Sequence, residues 1–252
     1  MEEFDSFIQF KELNDYNVIN LFSKKPLNFN GRKIDNETIN GQYNIIQEKL
    51  GYKFIKIIKP NLSHTNVVKK IDISNINDVF DNVDGLITDI KGIALVTSLA
   101  DCQGILLYDK KKKVIGNIHS GWKGTLNKII INAINMMIKE YNSSISDIKV
   151  FFSPSILKCC FEVDEDVKND FLNKFSNIDI NKYITKGNLI KGKQKYLIDT
   201  IGININIIET IGILPDNITT SDICTKCNNN LYYSHRADSD TDGRNILLIS
   251  MR

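Results

Sequence analysis

The run of short apolar segments between residues 86 and 118 restricts the fold of this chain more than any other feature. Four strands are predicted there, over 86–90, 93–99, 104–108 and 114–118, each bounded by Gly, Asp or Lys. Short apolar segments between turn residues are typical of buried strands. A helical apolar periodicity follows over 125–141. Strands followed at once by an amphipathic helix predict a mixed α/β fold.

Weaker signals extend this pattern towards both ends of the chain. Further helices are predicted over 36–50, 164–175 and 195–210, and further strands over 53–59, 149–152 and 245–249. Gly51 is suited to end the first of these helices as a C-cap. No repeat and no linker rich in Gly, Pro or Ser divides the sequence. We therefore expect one domain over residues 1–252.

The composition argues against two classes of protein. The 32 basic and 30 acidic residues give a net charge of +2 without a basic stripe, so no nucleic-acid partner is expected. No apolar stretch approaches the roughly 20 residues that span a bilayer, so no membrane association is expected. The start of the chain lacks a basic segment followed by an apolar one, and the five cysteines are an odd number. These features favour a cytoplasmic protein with reduced thiols.

A hairpin predicted within ADCQGILLYDKKKKVIGNIHSGWKGT, residues 100–125, brings two metal-binding types of side chain together. If its turn is centred near Lys111, Cys102 and His119 lie opposite each other. Directly opposed residues have Cβ atoms about 4.5–5.5 Å apart, which suits two ligands of one zinc ion. The alternative is that Cys102 is a small buried side chain and that the histidines are ordinary hydrogen-bonded residues.

A third ligand would come from one of the two remaining histidines. His64 follows a predicted strand and Pro60, where a loop can reach the mouth of the hairpin, whereas His235 lies among polar residues in YYSHRAD. These surroundings select neither residue. Three protein ligands with an open fourth position are typical of a catalytic zinc site rather than a structural one.

The segment HSGWKGT, residues 119–125, predicts a tight turn from the second hairpin strand into the N-terminus of the following helix. Free amides and the helix dipole at such an end favour an anion, and Lys123 adds a positive charge. The spacing of a Walker A loop and the G-x-G-x-x-G motif are both absent. A plain turn between strand and helix is the alternative.

Several segments of the chain resemble the YfiH family, also described as laccase-like or multicopper polyphenol oxidoreductases. They are DGLITDIKGIALVTSLADCQGILLYD, IGNIHSGWKGT, SPSILKCCFEV and the closing DICTKC, YYSHRAD and DGR, in the family's order between about residues 84 and 244. The combination of ADC, H-x-G-W-K-G and CCFEV is highly specific. The resemblance implies a single-domain, layered α/β/β/α sandwich and a zinc-dependent purine nucleoside phosphorylase that can also deaminate adenosine.

The resemblance also implies roles for individual residues. The implied ligands of Zn²⁺ are His64, Cys102 and His119, which selects His64 over His235. The candidates for binding phosphate or ribose are Lys123, Arg236 and Arg244. The candidate catalytic residues are Asp101, Cys102 and His119. Asp101 would orient its neighbours or accept a proton, and the alternative for it is a carboxylate that caps nearby amides.

In the implied reaction, inorganic phosphate attacks the anomeric carbon of a purine nucleoside, such as adenosine, inosine, guanosine or methylthioadenosine. The products are the free base and ribose 1-phosphate, and basic side chains would offset the developing charge. For deamination, the metal would activate a water molecule. Three histidines are too few for the coppers of a multicopper oxidase, so zinc is expected, and a single copper ion at a site of two histidines and one cysteine is the alternative. We expect a monomer or a homodimer.

Two other functions are compatible with the same residues. A cysteine hydrolase would use Cys102 as nucleophile and His119 as base, and its activity would survive chelation but not alkylation. A nucleoside-binding regulatory protein would have kept the fold and lost turnover. The regulatory alternative is suggested by a difference from the family. The family's N-terminal Arg-Gly-Gly is replaced here by Ser23-Lys24-Lys25.

The other four cysteines are expected to be structural. Cys159 and Cys160 are adjacent, which disfavours an ordinary disulfide and favours buried packing. Cys224 and Cys227 have the spacing of half a zinc finger, but no second C-x-x-C pair is present, so no second metal is expected.

Overall fold

The computed structural model describes residues 1–176, 178–238 and 243–252, so Asp242 of the DGR motif lies outside the described residues. The strands are β1 (Glu2–Glu3), β2 (Phe7–Gln9), β3 (Val18–Ser23), β4 (Lys56–Ile58), β5 (Val68–Lys70), β6 (Gly85–Thr88), β7 (Ile93–Leu99), β8 (Gln103–Asp109), β9 (Val114–Ser120), β10 (Ile148–Phe152), β11 (Glu162–Val163), β12 (Ile184–Ile190), β13 (Lys193–Ile198), β14 (Ile218–Thr220) and β15 (Asn245–Met251). The helices are α1 (Lys11–Asp15), α2 (Asn36–Leu50), α3 (Trp122–Leu126), α4 (Ile129–Tyr141), α5 (Glu165–Lys174) and α6 (Thr200–Thr210). None of the helices in these ranges combines the length and apolar character needed to cross a bilayer.

Most of these strands form two large sheets that pack face to face. The first sheet has the order β1-β2-β3-β15-β7-β4, and the second has the order β14-β10-β8-β9-β6-β5. A small third sheet has the order β11-β13-β12. Strand β15 lies between β3 and β7, so residues from both ends of the chain share the first sheet.

Side chains that alternate along the strands build hydrophobic clusters on both faces of each large sheet. On β15, Leu247 faces the space between the sheets, whereas Ile246 packs with residues of α2. On β8, Leu106 faces the same inner space, whereas Ile105 packs with residues of α4 and α6. Because both faces are covered, these strands are continuous apolar runs. The layers are α/β/β/α, and the predicted sandwich is confirmed.

The helix predicted over 36–50 is confirmed as α2, with a cap at each end. The side chain of Asp35 accepts a hydrogen bond from the N–H group of Thr38 at 2.8 Å. Gly51 closes the helix in the left-handed conformation, with φ of 58°. Both caps satisfy backbone groups that a helix leaves without a partner at its ends.

Two other predicted helices are wrong in their first turns. The range 195–210 begins as strand β13 and becomes helical at α6, where Asp199 caps the helix by accepting a hydrogen bond from the N–H group of Gly202 at 2.8 Å. The range 125–141 is divided between α3 and α4, with Lys128 in the left-handed conformation between them, at φ of 55°. The first error arises because β13 pairs with β11 and β12, and such pairing leaves no trace in local periodicity.

The hairpin of β8 and β9 has a different register from the predicted one. His119 lies opposite Gly104, not opposite Cys102. The carboxylate of Asp109 moves the centre of the turn beyond Lys111, because it accepts hydrogen bonds from two backbone N–H groups of the loop at 2.8 and 2.9 Å. The observed pairing differs from the predicted one by two residues along one strand. Because side chains alternate between the two faces of a strand, Cys102 and His119 still lie on the same face, but they are not directly opposite each other.

Candidate metal centre

Three side chains with metal-binding atoms converge at the end of the β8–β9 hairpin. His119 lies on β9, Cys102 directly precedes β8, and His64 lies on the loop between β4 and β5. Their ligand atoms all lie within 4.8 Å of one another, and Sγ of Cys102 is 3.9 Å from Nε2 of His64. In a tetrahedral site with Zn–S near 2.3 Å and Zn–N near 2.0–2.1 Å, sulfur and nitrogen are about 3.6 Å apart, so the donor set fits one zinc ion. His235 is exposed and lies outside the groups of possible metal ligands formed by the described residues.

Asp84, which precedes β6, holds two of these side chains in place. It is fully buried, and its Oδ1 is 2.7 Å from Nδ1 of His119, which leaves Nε2 of that ring for a metal. The same carboxylate accepts hydrogen bonds from the N–H groups of Ser63, His64 and Thr65 at 3.3, 3.0 and 2.7 Å. Asp84 is not among the site residues predicted from the sequence, where the only signal is an acidic residue directly before an apolar strand.

The charges of this group favour a bound cation. Burial alone would raise the pKa of Cys102, but the charge of His119 and hydrogen bonds from His119 and His64 outweigh burial and lower it to about 6. Burial would lower the pKa of His119, but the Cys102 thiolate and Asp84 raise it to about 9. Hydrogen bonds from His119 and Thr65 outweigh burial at Asp84 and hold the pKa of that carboxyl well below its usual range. A thiolate is the form that binds metal, and a metal ion can take the place of the proton on the imidazole.

Asp101 connects the metal-binding group to the C-terminal part of the chain. Its backbone is left-handed, with φ of 79°. One carboxylate oxygen accepts a hydrogen bond from Oγ1 of Thr225 at 2.7 Å, and the other accepts one from the N–H group of Arg236 at 2.6 Å. Both oxygens are therefore engaged by neighbouring donors, as expected for the alternative of a carboxylate that caps nearby groups.

Two of the predicted cationic residues are linked to the metal-binding group, Lys123 along the chain and Arg236 through a contact in space. Lys123 is exposed two residues after Gly121, with its ammonium 5.5 Å from the centre of the Trp122 ring. The guanidinium of Arg236 donates a hydrogen bond to the carbonyl oxygen of Glu162 at 2.6 Å. Arg236 is tied to the centre through its backbone contact with Asp101.

The third predicted cation, Arg244, lies beside a lysine that the sequence did not single out. Arg244 precedes β15, and Lys59 follows β4 on the segment that continues to His64. Burial lowers the pKa of Lys59, and the positive charge of Arg244 lowers it further. Lys59 donates a hydrogen bond to the carbonyl oxygen of Phe29 at 3.1 Å. Two half-buried cations that repel each other form a place where an anion would relieve the repulsion.

The helix after His119 is shorter than predicted. Helix α3 begins at Trp122 and has only five residues, and the long helix α4 begins at Ile129. The macrodipole of a helix depends on many aligned peptide units, so a helix of one turn offers little of it. The predicted start of a long helix near residue 125 is therefore wrong.

The other four cysteines form a second group. The sulfur atoms of Cys159, Cys160, Cys224 and Cys227 all lie within 4.8 Å of one another. The expectation of buried packing for the adjacent pair is wrong, because Cys159 is exposed and Cys160 is half-buried. The adjacent pair occupies the place of the second C-x-x-C pair that the sequence lacks.

Gly121 lies against the candidate metal ligands where no larger residue fits. A Cβ atom here would lie 2.8 Å from Cδ2 of His64 and 3.3 Å from Sγ of Cys102. We expect Gly121→Ala to displace His64 and to weaken zinc binding roughly tenfold to a hundredfold, because overpacking costs about 1–3 kcal/mol. Competition with a chromophoric chelator measures this change.

Gly41→Ala is the matched control for this substitution. Gly41 lies on α2, and a Cβ atom there would meet nothing within 4 Å. Its zinc affinity should equal that of the wild type. Equal affinity in Gly121→Ala would mean that His64 and Cys102 do not hold a common ion.

Comparisons with known proteins give consistent relatives. A family model described as multi-copper polyphenol oxidoreductase laccase matches residues 22–252. A Borreliella burgdorferi protein named purine nucleoside phosphorylase is 32% identical over 234 residues, which cover 93% of each chain. A protein from an unknown prokaryotic organism, named adenosine deaminase RL5, is 27% identical over 203 residues, which cover 78% of this chain and 75% of that one. The crystal structure of the Bacillus licheniformis hypothetical protein YfiH matches with a TM-score of 0.88 at 23% identity, over 99% of this chain and 98% of that chain.

Proposed function

The chain belongs to the multi-copper polyphenol oxidoreductase laccase family, also known as YfiH or laccase-like, and on this basis we propose that it is a zinc-dependent purine nucleoside phosphorylase. Relatives named purine nucleoside phosphorylase support an enzyme that processes nucleosides with phosphate. The observation that carries the proposal is the convergence of His64, Cys102 and His119 on one point. Three nitrogen and sulfur ligands with a free fourth position are typical of catalytic zinc.

The donor set favours zinc over the coppers in the family's description. Two imidazoles and one thiolate can bind either metal. The three histidines of the whole sequence cannot supply the larger ligand set of a multicopper oxidase. When bound, the ion supplies a Lewis acid that polarises an oxygen of phosphate or substrate.

The chain's own side chains would bind and orient the two substrates. In phosphorolysis, a phosphate oxygen forms a bond to the anomeric carbon while the glycosidic C–N bond breaks and its electron pair leaves with the purine. Lys59 and Arg244 would bind the phosphate, since their mutual repulsion is relieved by an anion. Lys123 and Arg236 would contact phosphate or ribose at the rim, and Asp101 would orient Cys102.

The role of Lys59 is testable through the affinity for phosphate. We expect Lys59→Met to raise the KM for phosphate about tenfold to a hundredfold, because a hydrogen bond to a charged group contributes about 1.5–3 kcal/mol. The KM for the nucleoside should change little, since Met keeps most of the apolar stem. Lys53→Met, at an exposed position, is the control. Equal phosphate KM values in the two variants would place phosphate elsewhere.

The proposed function is tested by incubating the purified protein with adenosine, inosine, guanosine and methylthioadenosine, with and without inorganic phosphate. We expect free base and ribose 1-phosphate only when phosphate is present, with activity lost on chelation and restored by zinc. Nucleoside binding without product under any condition would support a regulatory binding protein instead.

A cysteine hydrolase would use the same side chains differently. Asp84, His119 and Cys102 form the chain of contacts of an orienting carboxylate, a base and a nucleophile, and the lowered pKa of Cys102, about 6, suits that role. The contact of His64 with the same sulfur, at 3.9 Å, is explained by a metal and has no place in a hydrolase. Activity that survives chelation and is lost on alkylation of the thiol would favour the hydrolase.

Adenosine deamination is a second candidate activity, supported by the relative named adenosine deaminase RL5. The H-x-E and P-C-x-x-C signature of zinc-dependent base deaminases is absent from this sequence, so the reaction would use a different set of groups. Deamination releases ammonia and forms inosine without phosphate. The same incubations therefore distinguish it from phosphorolysis.

A further inference from the structure

Four cysteine sulfurs meet outside the centre described above. Cys159 and Cys160 lie on the segment before β11, and Cys224 and Cys227 lie on the segment after β14. Sγ of Cys227 is 3.4 Å from Sγ of Cys160 and 3.8 Å from Sγ of Cys159. All four sulfurs lie within 4.8 Å of one another, which is a closer grouping than packing alone requires.

These distances fit a shared metal ion. The sulfurs of a tetrahedral Cys₄ zinc site, with Zn–S near 2.3 Å, are about 3.8 Å apart. A disulfide joins only two sulfurs at about 2.0 Å and would leave the other two without a partner. Four cysteines are a usual ligand set of a structural zinc site, and Cys224 and Cys227 have the usual C-x-x-C spacing.

Backbone donors complete the surroundings of one sulfur. The N–H group of Leu157 lies 3.5 Å from Sγ of Cys224, and the N–H group of Cys227 also donates to it. Hydrogen bonds from outside the ligand set orient and stabilise the ligands of metal sites. Cys224 is buried and Cys159 and Cys227 are exposed, so the cluster lies at the surface, where a metal ion can enter.

We propose that Cys159, Cys160, Cys224 and Cys227 bind a second zinc ion in a closed structural site. On binding, each thiol releases its proton to solvent, and the four thiolates fill the tetrahedral positions and leave none for substrate. Thiolates select zinc or other soft metals over magnesium and calcium.

The second site would stabilise the loops that support the candidate active centre. The backbones of Cys224 and Ser155 form an isolated β-bridge, which joins the two segments that carry the cysteines. The next residue, Thr225, is fully buried and donates a hydrogen bond to Asp101 at 2.7 Å, and Asp101 directly precedes Cys102. A metal ion on the four cysteines would therefore hold the support of Cys102 in position while taking no part in the reaction.

Metal analysis separates the two sites. For protein purified with reductant and dialysed into metal-free buffer, we expect two zinc ions per chain in the wild type. We expect one in the His64→Ala/His119→Ala variant, which lacks the first centre, and one in the Cys160→Ser/Cys227→Ser variant, which lacks the second. One zinc in the wild type and none in the histidine variant would overturn the proposal.

Cobalt binding provides a second readout that does not depend on folding of the cysteine variant. We expect Co²⁺ added to the metal-free histidine variant to give one tetrahedral site with the strong sulfur-to-cobalt absorption of four thiolates. Absence of this absorption, or a mass that shows a disulfide among these cysteines in protein kept under reductant, would overturn the proposal. Neither readout uses enzymatic activity, so failure of the phosphorylase proposal leaves this test intact.

Discussion

The Cys102→Ala variant is expected to lose phosphorolysis by roughly a thousandfold, since a single group that stabilises developing charge contributes about that much to the rate. The substitution removes the only thiolate of the proposed centre and leaves His64 and His119, whose nitrogens no longer satisfy a three-ligand site. The variant should also contain one zinc ion fewer per chain. Steady-state kcat/KM with phosphate and metal analysis of the same preparation measure both effects.

The histidines offer a matched pair of controls for this experiment. His64→Ala should show the same loss of zinc and activity, whereas His235→Ala, at an exposed position outside the cluster, should retain zinc. Circular dichroism of each variant distinguishes loss of metal from loss of fold. If Cys102→Ala retains both zinc and phosphorolysis, the sulfur is not a ligand and the proposed centre is wrong.

Asp84→Asn is expected to weaken zinc binding about tenfold to a hundredfold, the usual effect of losing a partner behind a metal-binding histidine. The substitution keeps the shape of the side chain but removes its charge and places an NH₂ group among N–H donors. The substitution leaves His119 as a buried charge without its partner. We therefore also expect the free energy of unfolding to fall by about 3–5 kcal/mol. Urea denaturation of the metal-free protein measures stability, and chelator competition measures affinity.

Asp89→Asn is the control for this substitution. Asp89 follows the same strand, β6, but is exposed. It should match the wild type in both measurements. An Asp84→Asn variant with unchanged stability would contradict the view that one carboxylate fixes both the loop of His64 and the ring of His119.

Much of the fold is readable from local patterns. Continuous apolar runs predicted the central strands, because the strands are covered on both faces. The helical spacing of apolar residues and the C-cap Gly51 predicted α2, because both signals depend on residues within one or two turns of the helix. The same logic failed at β13, where the partners β11 and β12 decide the conformation.

The candidate site shows the same division. Cys102 and His119 lie on one face because side chains alternate along a strand, and a shift of two residues does not change the face. The register itself depends on how Asp109 closes the turn, and local spacing did not reveal it. The choice of His64 over His235 came from resemblance to a family, since neither residue's neighbours select it.

Apolar periodicity and cap chemistry were enough to specify the central strands and helix α2, because those preferences act between residues that are near in sequence. The role of Asp84, the approach of Lys59 to Arg244 and the meeting of four cysteines became apparent only in the folded chain. Each of them joins residues from distant segments, and their spacing is decided by how sheets and loops pack. Such contacts leave no local pattern, since the hydrogen bonds and charges that define them exist only after those segments come together.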